Sequence, residues 1–251
     1  MGMFCTIKIG KRFWLWVGAI LLALLAIFWL PGTGAVFPVL SSSVDQEKVV
    51  YLTFDDGPSV NTIEILNVLK EEKAPATFFV TGAETERGLG LYQRMLDEGH
   101  AIGLHSYSHR YREIYASADA YWNDLMRLAD HIEEHTGYRP DIFRFPGGSH
   151  TTKADAAVLA EGKKRATSSG LCWFVLNALG KDDHSTPTSA QQIFENIVSS
   201  AGDKDRIVTL MHDDGVRTTA ADAVRLIIDH YKSLGYRFEK LTSETEPVQF
   251  S

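Results

Sequence analysis

Cysteine is nearly absent from this chain. Cys5 and Cys172 are the only two in 251 residues. They lie on either side of the one long apolar run, so no disulfide framework can form, and thiolates cannot build a metal site. Positive charge is also scarce. Lys and Arg number 25 against 32 Asp and Glu, for a net charge of −7. Residues 1–30 contain Lys8, Lys11 and Arg12 and no acid, so the remainder is more acidic still. An acidic body argues against nucleic acid as a partner. Internal repeats and a second linker are missing too, which points to one domain over 49–244 and a short tail over 245–251.

The apolar run itself is Phe13–Leu30, 18 uncharged residues. That reaches the length of a membrane span. The cations all precede it, which places the N-terminus in the cytoplasm, and its Trp residues suit the membrane interface. Its length exceeds a usual signal-peptide core and favours an uncleaved anchor. Thr33-Gly34-Ala35 offers small residues for cleavage and keeps a signal peptide as the alternative. Either way the body is exported. Residues 31–48, with Ser41-Ser42-Ser43, read as a flexible linker.

Beyond the linker, short apolar runs alternate with helical periodicity. Strands are predicted at Val49–Phe54, Ala76–Val80, Ala101–Leu104, Asp141–Phe145, Leu171–Leu176, Arg206–Met211 and Tyr236–Phe238. Helices are predicted at Thr62–Glu72, Glu84–Glu98, Ala118–Thr136, Ser189–Ser200 and Ala220–Leu234. Such alternation implies an α/β fold with a parallel sheet, open or closed into a barrel. The polar residues with chemical potential then fall at the C-terminal ends of strands, where α/β barrels assemble their sites.

Asp55 and Asp56 follow the first strand in Thr53-Phe54-Asp55-Asp56-Gly57-Pro58. The same letters make a plain turn. In an extended segment, however, neighbouring side chains point opposite ways, so one carboxylate can bind a metal while the other faces substrate. His105 and His109 are four apart, and on a helical turn both imidazoles would share one face and one ion. With one carboxylate they make a two-His, one-Asp set with open positions. Arg144 can hold Asp55 and keep it ionised. Gly147 and Gly148 allow backbone N–H groups to approach a ligand, as an oxyanion requires. His212 ends a late strand, and Asp182 is the carboxylate chosen to tune it as a general acid.

Taken together, Thr53–Pro58, His105–His109, Arg144-Phe145-Pro146-Gly147-Gly148 and Leu210-Met211-His212 resemble the polysaccharide deacetylase family, also called the NodB-homology or carbohydrate esterase family 4 domain. The resemblance covers about Val49 to Thr242. It is most similar to cell-wall deacetylases of Gram-positive bacteria through Phe143–Ser149 and Leu210-Met211-His212-Asp213. It implies a distorted, incomplete (β/α) barrel and one divalent metal, usually zinc, held by Asp56, His105 and His109. It further implies Asp55 as base, His212 as acid, Arg144 orienting Asp55, the Gly147 N–H at the oxyanion and Leu210 lining an acetyl-methyl pocket. The implied reaction releases acetate from an exported N-acetyl-hexosamine polysaccharide, peptidoglycan above all, by a monomeric enzyme anchored in the cell membrane. Deacetylation of another glycan, O-acetyl hydrolysis and a weakened glycan-binding module are the alternatives. The chain departs from the family between its third and last motifs. Where Asp-Trp-Asn often precedes a Gly-Asp pair, this sequence has Val175-Leu176-Asn177 and then Gly180-Lys181-Asp182. An aromatic groove wall is therefore expected to be missing, and the tuning of His212 to rest on Asp182.

Overall fold

The computed structural model describes residues 47–182, 188–215 and 219–246. The apolar run Phe13–Leu30 and nearly all of the linker lie outside them. Among the described residues no helix is long and apolar enough to cross a membrane.

Four strands carry the sheet. They are β1 (Val49–Asp55), β2 (Ala76–Thr81), β3 (Ala101–Ser106) and β7 (Arg206–His212). Four more are two residues each: β4 (Ile142–Phe143), β5 (Cys172–Trp173), β6 (Ala178–Leu179) and β8 (Arg237–Phe238). All pair in parallel, in the order β5-β4-β3-β2-β1-β7-β6, with β8 against β1. β8 takes Val49 and Val50 while β2 takes Leu52 to Asp55. The path does not close on itself, which makes the fold an incomplete, distorted barrel as expected.

Every residue of β1 is buried, yet its two faces differ. Val50, Leu52 and Phe54 belong to the large core under the helices, whereas Val49 and Tyr51 join Phe79, Ile142, Phe174 and Val208 in a smaller inner cluster. The period-2 alternation of a strand then carries Thr53 and Asp55 along the inner face. The same alternation sets Ala101, Gly103 and His105 on the inner face of β3, and Val208, Leu210 and His212 on that of β7. The inner face is tightly filled. A Cβ on Gly103 would lie 2.5 Å from the Phe79 ring.

The helices cover the outer face: α1 (Asn61–Glu72), α2 (Glu86–Asp97), α3 (Tyr111–Ile114), α4 (Ala118–Thr136), α5 (Ala156–Ser168), α6 (Ala190–Ala201) and α7 (Ala220–Ser233). The α4 limits match the sequence reading. Ser117 caps its first turn, and Gly137 ends it at φ 72°, a left-handed conformation that glycine adopts freely.

Several sequence expectations need correction. The strand expected over Asp141–Phe145 is only Ile142–Phe143, because Pro146 offers no donor and Gly147 and Gly148 turn the chain at positive φ. The strand expected over Leu171–Leu176 shrinks to Cys172–Trp173. Helices α3 and α5 and strand β6 carry no expectation at all. α5 is polar, and Gly162 interrupts its apolar stripe. That glycine is where the helix presses on Tyr121 and Phe145, since a Cβ there would lie 3.2–3.3 Å from both rings.

Candidate active site

The strand ends open into a cavity of about 350 Å³ lined by Asp55, Asp56, His105, His109, Arg144, Gly147, Leu210 and His212, among others. Residues up to 157 positions apart in sequence meet there.

Asp56, His105 and His109 each place one ligand atom within 4.8 Å of the others. The Nε2 atoms of His105 and His109 approach Asp56 Oδ1 at 3.4 and 3.2 Å. The grouping agrees with the sequence reading, but the expected geometry does not. His105 lies within β3 rather than starting a helical turn, and His109 sits at φ 51° beyond the strand. The turn folds back because Asp124 on α4 accepts hydrogen bonds from Ser106 Oγ at 2.6 Å, Tyr107 N at 2.7 Å and Ser108 N at 3.0 Å. Ser106 Oγ in turn accepts from His109 N. The two imidazoles end up stacked, with ring centroids 5.3 Å apart. Asp124 escapes the sequence reading because on a helix it looks like any solvated acid.

The donor chemistry of this trio fits a divalent cation. His105 is buried and its Nδ1 lies 2.9 Å from the Arg144 carbonyl. A proton on Nδ1 leaves the Nε2 lone pair free to face Asp56 and His109, the arrangement of a metal-binding histidine. Burial lowers the pKa of His105 against the opposing pull of Asp55 and Asp56, which keeps the imidazole neutral.

The two aspartates separate for a different reason than strand alternation. Asp55 is the last residue of β1 and points inward, whereas Asp56 lies at φ 76°, so the chain kinks and both carboxylates face the cavity. Non-glycine residues seldom adopt that conformation, and Asp is among the types that tolerate it best. What distinguishes Asp55 is Arg144. Arg144 Nη1 donates to Asp55 Oδ1 at 2.8 Å and to Thr53 Oγ1 at 2.7 Å, and the guanidinium lies 4.2 Å from the Phe79 ring centroid. The other oxygen, Asp55 Oδ2, lies 3.9 Å from His105 Nε2.

His212 stands beside Asp55, because the two are register partners on adjacent strands. Asp182, 2% exposed, accepts from His212 N at 2.9 Å through Oδ2 and meets its Nδ1 at 2.9 Å through Oδ1. Burial pushes the imidazole pKa down, but the Asp182 hydrogen bond and charge, with Asp55 and Asp56, outweigh it and raise the pKa to about 9. Asp182 thus occupies the place that the sequence reading reserved for it.

Gly147 lies at φ 74° on the cavity wall, and a Cβ there would stand 2.8 Å from Thr151 Oγ1. Across the cavity, Phe174, Val175, Leu176, Leu179 and Leu210 form an apolar wall, with Tyr111 and His150 among the other lining residues. The departure seen in sequence is therefore aliphatic surface rather than an open gap. Tyr111, which packs edge-on to His109 at 5.1 Å, escapes the sequence reading because nothing in its spacing marks it.

Comparison with known proteins accords with this geometry. The profile described as polysaccharide deacetylase matches residues 42–165. A peptidoglycan-N-acetylglucosamine deacetylase of Bacillus cereus is 34% identical over 211 residues, which span 82% of this chain and 74% of that protein. The chain belongs to the polysaccharide deacetylase family. A peptidoglycan-N-acetylmuramic acid deacetylase of Bacillus subtilis is 33% identical over 81% of this chain, although only 40% of that longer protein is covered. Among solved structures, the catalytic domain of a peptidoglycan N-acetylglucosamine deacetylase from Eubacterium rectale superposes with a TM-score of 0.75 at 32% identity, covering 81% of this chain and 93% of that one.

Proposed function

We propose that this polysaccharide deacetylase removes N-acetyl groups from an exported N-acetyl-hexosamine polymer, with peptidoglycan as substrate and zinc as the metal. The observation that carries the reading is the meeting, in one cavity, of a metal-competent Asp56–His105–His109 trio, an Arg-held carboxylate and an Asp-paired imidazole. The peptidoglycan deacetylases among its relatives support the choice of polymer.

Asp56, His105 and His109 would hold the cation, which when bound polarises an acyl carbonyl and acidifies water. The remaining work belongs to the chain. Arg144 holds one oxygen of Asp55, which leaves Oδ2 to take a proton from the attacking water as the water oxygen bonds to the acetyl carbon. The backbone N–H of Gly147 donates to the developing oxyanion. His212 is protonated at neutral pH because its pKa is raised to about 9. With Nδ1 held by Asp182, its Nε2 delivers a proton to the departing nitrogen as the C–N bond breaks. Acetate and a free amine result. The apolar wall at Leu210 receives the acetyl methyl. A strongly basic imidazole suits an amine leaving group, which must be protonated, better than an alcohol.

The exported location and a membrane anchor at Phe13–Leu30 belong to the same proposal and rest on that segment's length and flanking charge. The test is acetate release from purified peptidoglycan by the zinc-loaded protein, with mass spectrometry of the products to locate the free amine. Absence of acetate from both peptidoglycan and N-acetylated chito-oligosaccharides would overturn the reading.

A further inference from the structure

One carboxylate at the strand ends has no part in the chemistry above. Asp213 follows His212 directly and is fully buried. Among the described residues it forms no ion pair with Lys, Arg or His. Its partners belong instead to the stretch from the end of β1 to the first turn of α1, which carries Asp55 and Asp56. Ser59 Oγ donates to Asp213 Oδ1 at 2.6 Å, and Thr62 Oγ1 donates to Asp213 Oδ2. Each hydroxyl also accepts a backbone N–H of the same segment, Ser59 Oγ from Asn61 at 3.0 Å and Thr62 Oγ1 from Ser59 at 2.7 Å. The Asp213 N–H closes the arrangement by donating to the Asp55 carbonyl at 2.8 Å. Gly57 passes directly over the carboxylate, since a Cβ there would lie 2.4 Å from Asp213 Oδ2. Asp56 therefore sits between two tethered points, the end of β1 and the start of α1, both tied to the residue that follows β7.

We propose that Asp213 is a positioning residue that clamps the Asp55–Thr62 segment to the end of β7 and so sets Asp56 against the metal and Asp55 against His212. Asp56 needs such a clamp because it is held at φ 76°, a conformation the chain keeps only where its surroundings enforce it. A carboxylate suits the role better than its amide. Both hydroxyls already accept one N–H each, so both have a proton to donate, and only a carboxylate accepts at both oxygens.

The inference rests on the deacetylase reading for its activity readout alone, so zinc binding is measured separately. The full-length Asp213→Asn and Thr62→Val variants are compared with wild type by competitive zinc titration, thermal melting, and kcat and KM for acetate release. Supporting residues around metal sites typically contribute on the order of 10-fold in affinity or activity. The expected result for Asp213→Asn is about a tenfold weaker zinc affinity and a comparable fall in kcat at saturating zinc. KM stays unchanged. Thr62→Val moves both in the same direction by less. Wild-type zinc affinity and kcat in Asp213→Asn, whatever its melting temperature, would reduce Asp213 to a structural residue and overturn the proposal. If Asp213→Asn does not fold, Thr62→Val decides by the same two readouts. Should the wild-type protein release no acetate, the deacetylase reading fails, while zinc titration still decides the role of Asp213.

Discussion

The central strands and the edge strands of this sheet do different jobs. β1 and β7 have seven residues each and β3 has six, and they carry Asp55, His105, Leu210 and His212 on one continuous inner face. β4, β5 and β6 have two residues each, and the segments beyond them supply Arg144, Val175, Leu176 and Asp182. In the centre, ladder register sets Asp55 beside His212. At the edge, side chains stand in for the ladder. Asn177 Nδ2 donates to the Arg206 carbonyl at 2.8 Å while its Oδ1 accepts from Val208 N at 2.8 Å, and Asn196 Nδ2 reaches the Gly180 carbonyl at 2.9 Å. Asp55 and His212 sit at the ends of long paired strands, where the backbone fixes them. The edge presents an aliphatic wall whose composition can change without disturbing the reacting groups.

The comparison breaks most clearly at its centre. His105→Ala removes a proposed ligand held on β3, so zinc stoichiometry measured by elemental analysis and acetate release should be lost together. Full zinc retention in that variant would remove His105 from the metal site. Asp55→Asn comes next. The metal should stay, because Asp56, His105 and His109 are intact, but kcat should fall by about 10²–10⁴, the usual contribution of a positioned base. Near wild-type turnover would mean that another group takes the proton.

The same division explains how much could be read in advance. The α/β class was legible because the central strands are apolar runs that alternate with helical patterns, and the incomplete barrel and the grouping of Asp56, His105 and His109 were legible through the family resemblance of the motifs at the strand ends. The geometry within that group was not. A spacing of four suggests a helical turn, and nothing local says that Asp124, fifteen residues beyond His109, pulls the segment into a tight return with His109 at φ 51°. Likewise Asp55 and Asp56 were separable by chemistry but not by shape, since the left-handed kink at Asp56 depends on contacts with β2 and β7. Thr81 Oγ1, for example, donates to the Asp56 carbonyl at 3.1 Å. Helix α5 stayed hidden because Gly162 interrupts its short stripe of Val158, Leu159 and Ala166.

At the boundary between the two regions stands the Asp182–His212 pair. Asp182→Asn removes the charge that raises the imidazole pKa to about 9. The protonated form, the proposed general acid, is present below that pKa and lost above it, so the alkaline limb of the kcat profile should move to lower pH. At neutral pH kcat should drop by roughly 10- to 100-fold, less than the full contribution of a general acid because the imidazole itself remains. An unshifted alkaline limb would show that Asp182 holds His212 in place without tuning it.

The smallest effect belongs to the edge proper. Leu179 is 36% exposed on the apolar wall, next to Gly180, whose N–H donates to the Leu210 carbonyl at 2.9 Å. It has no polar side-chain group to handle a proton or hold a metal, so Leu179→Ala should leave kcat, zinc affinity and the pH profile unchanged. Trimming a half-exposed apolar contact gives up only part of the roughly 1–3 kcal/mol available from filling a hydrophobic pocket. KM for N-acetylated chito-oligosaccharides should therefore rise a few-fold at most. Loss of kcat in this variant, measured at saturating zinc and substrate, would show that the edge reaches the reacting groups after all, through the β6–β7 pairing that sets Leu179 beside Leu210. The wall would then position the acetyl group for attack as well as bind it.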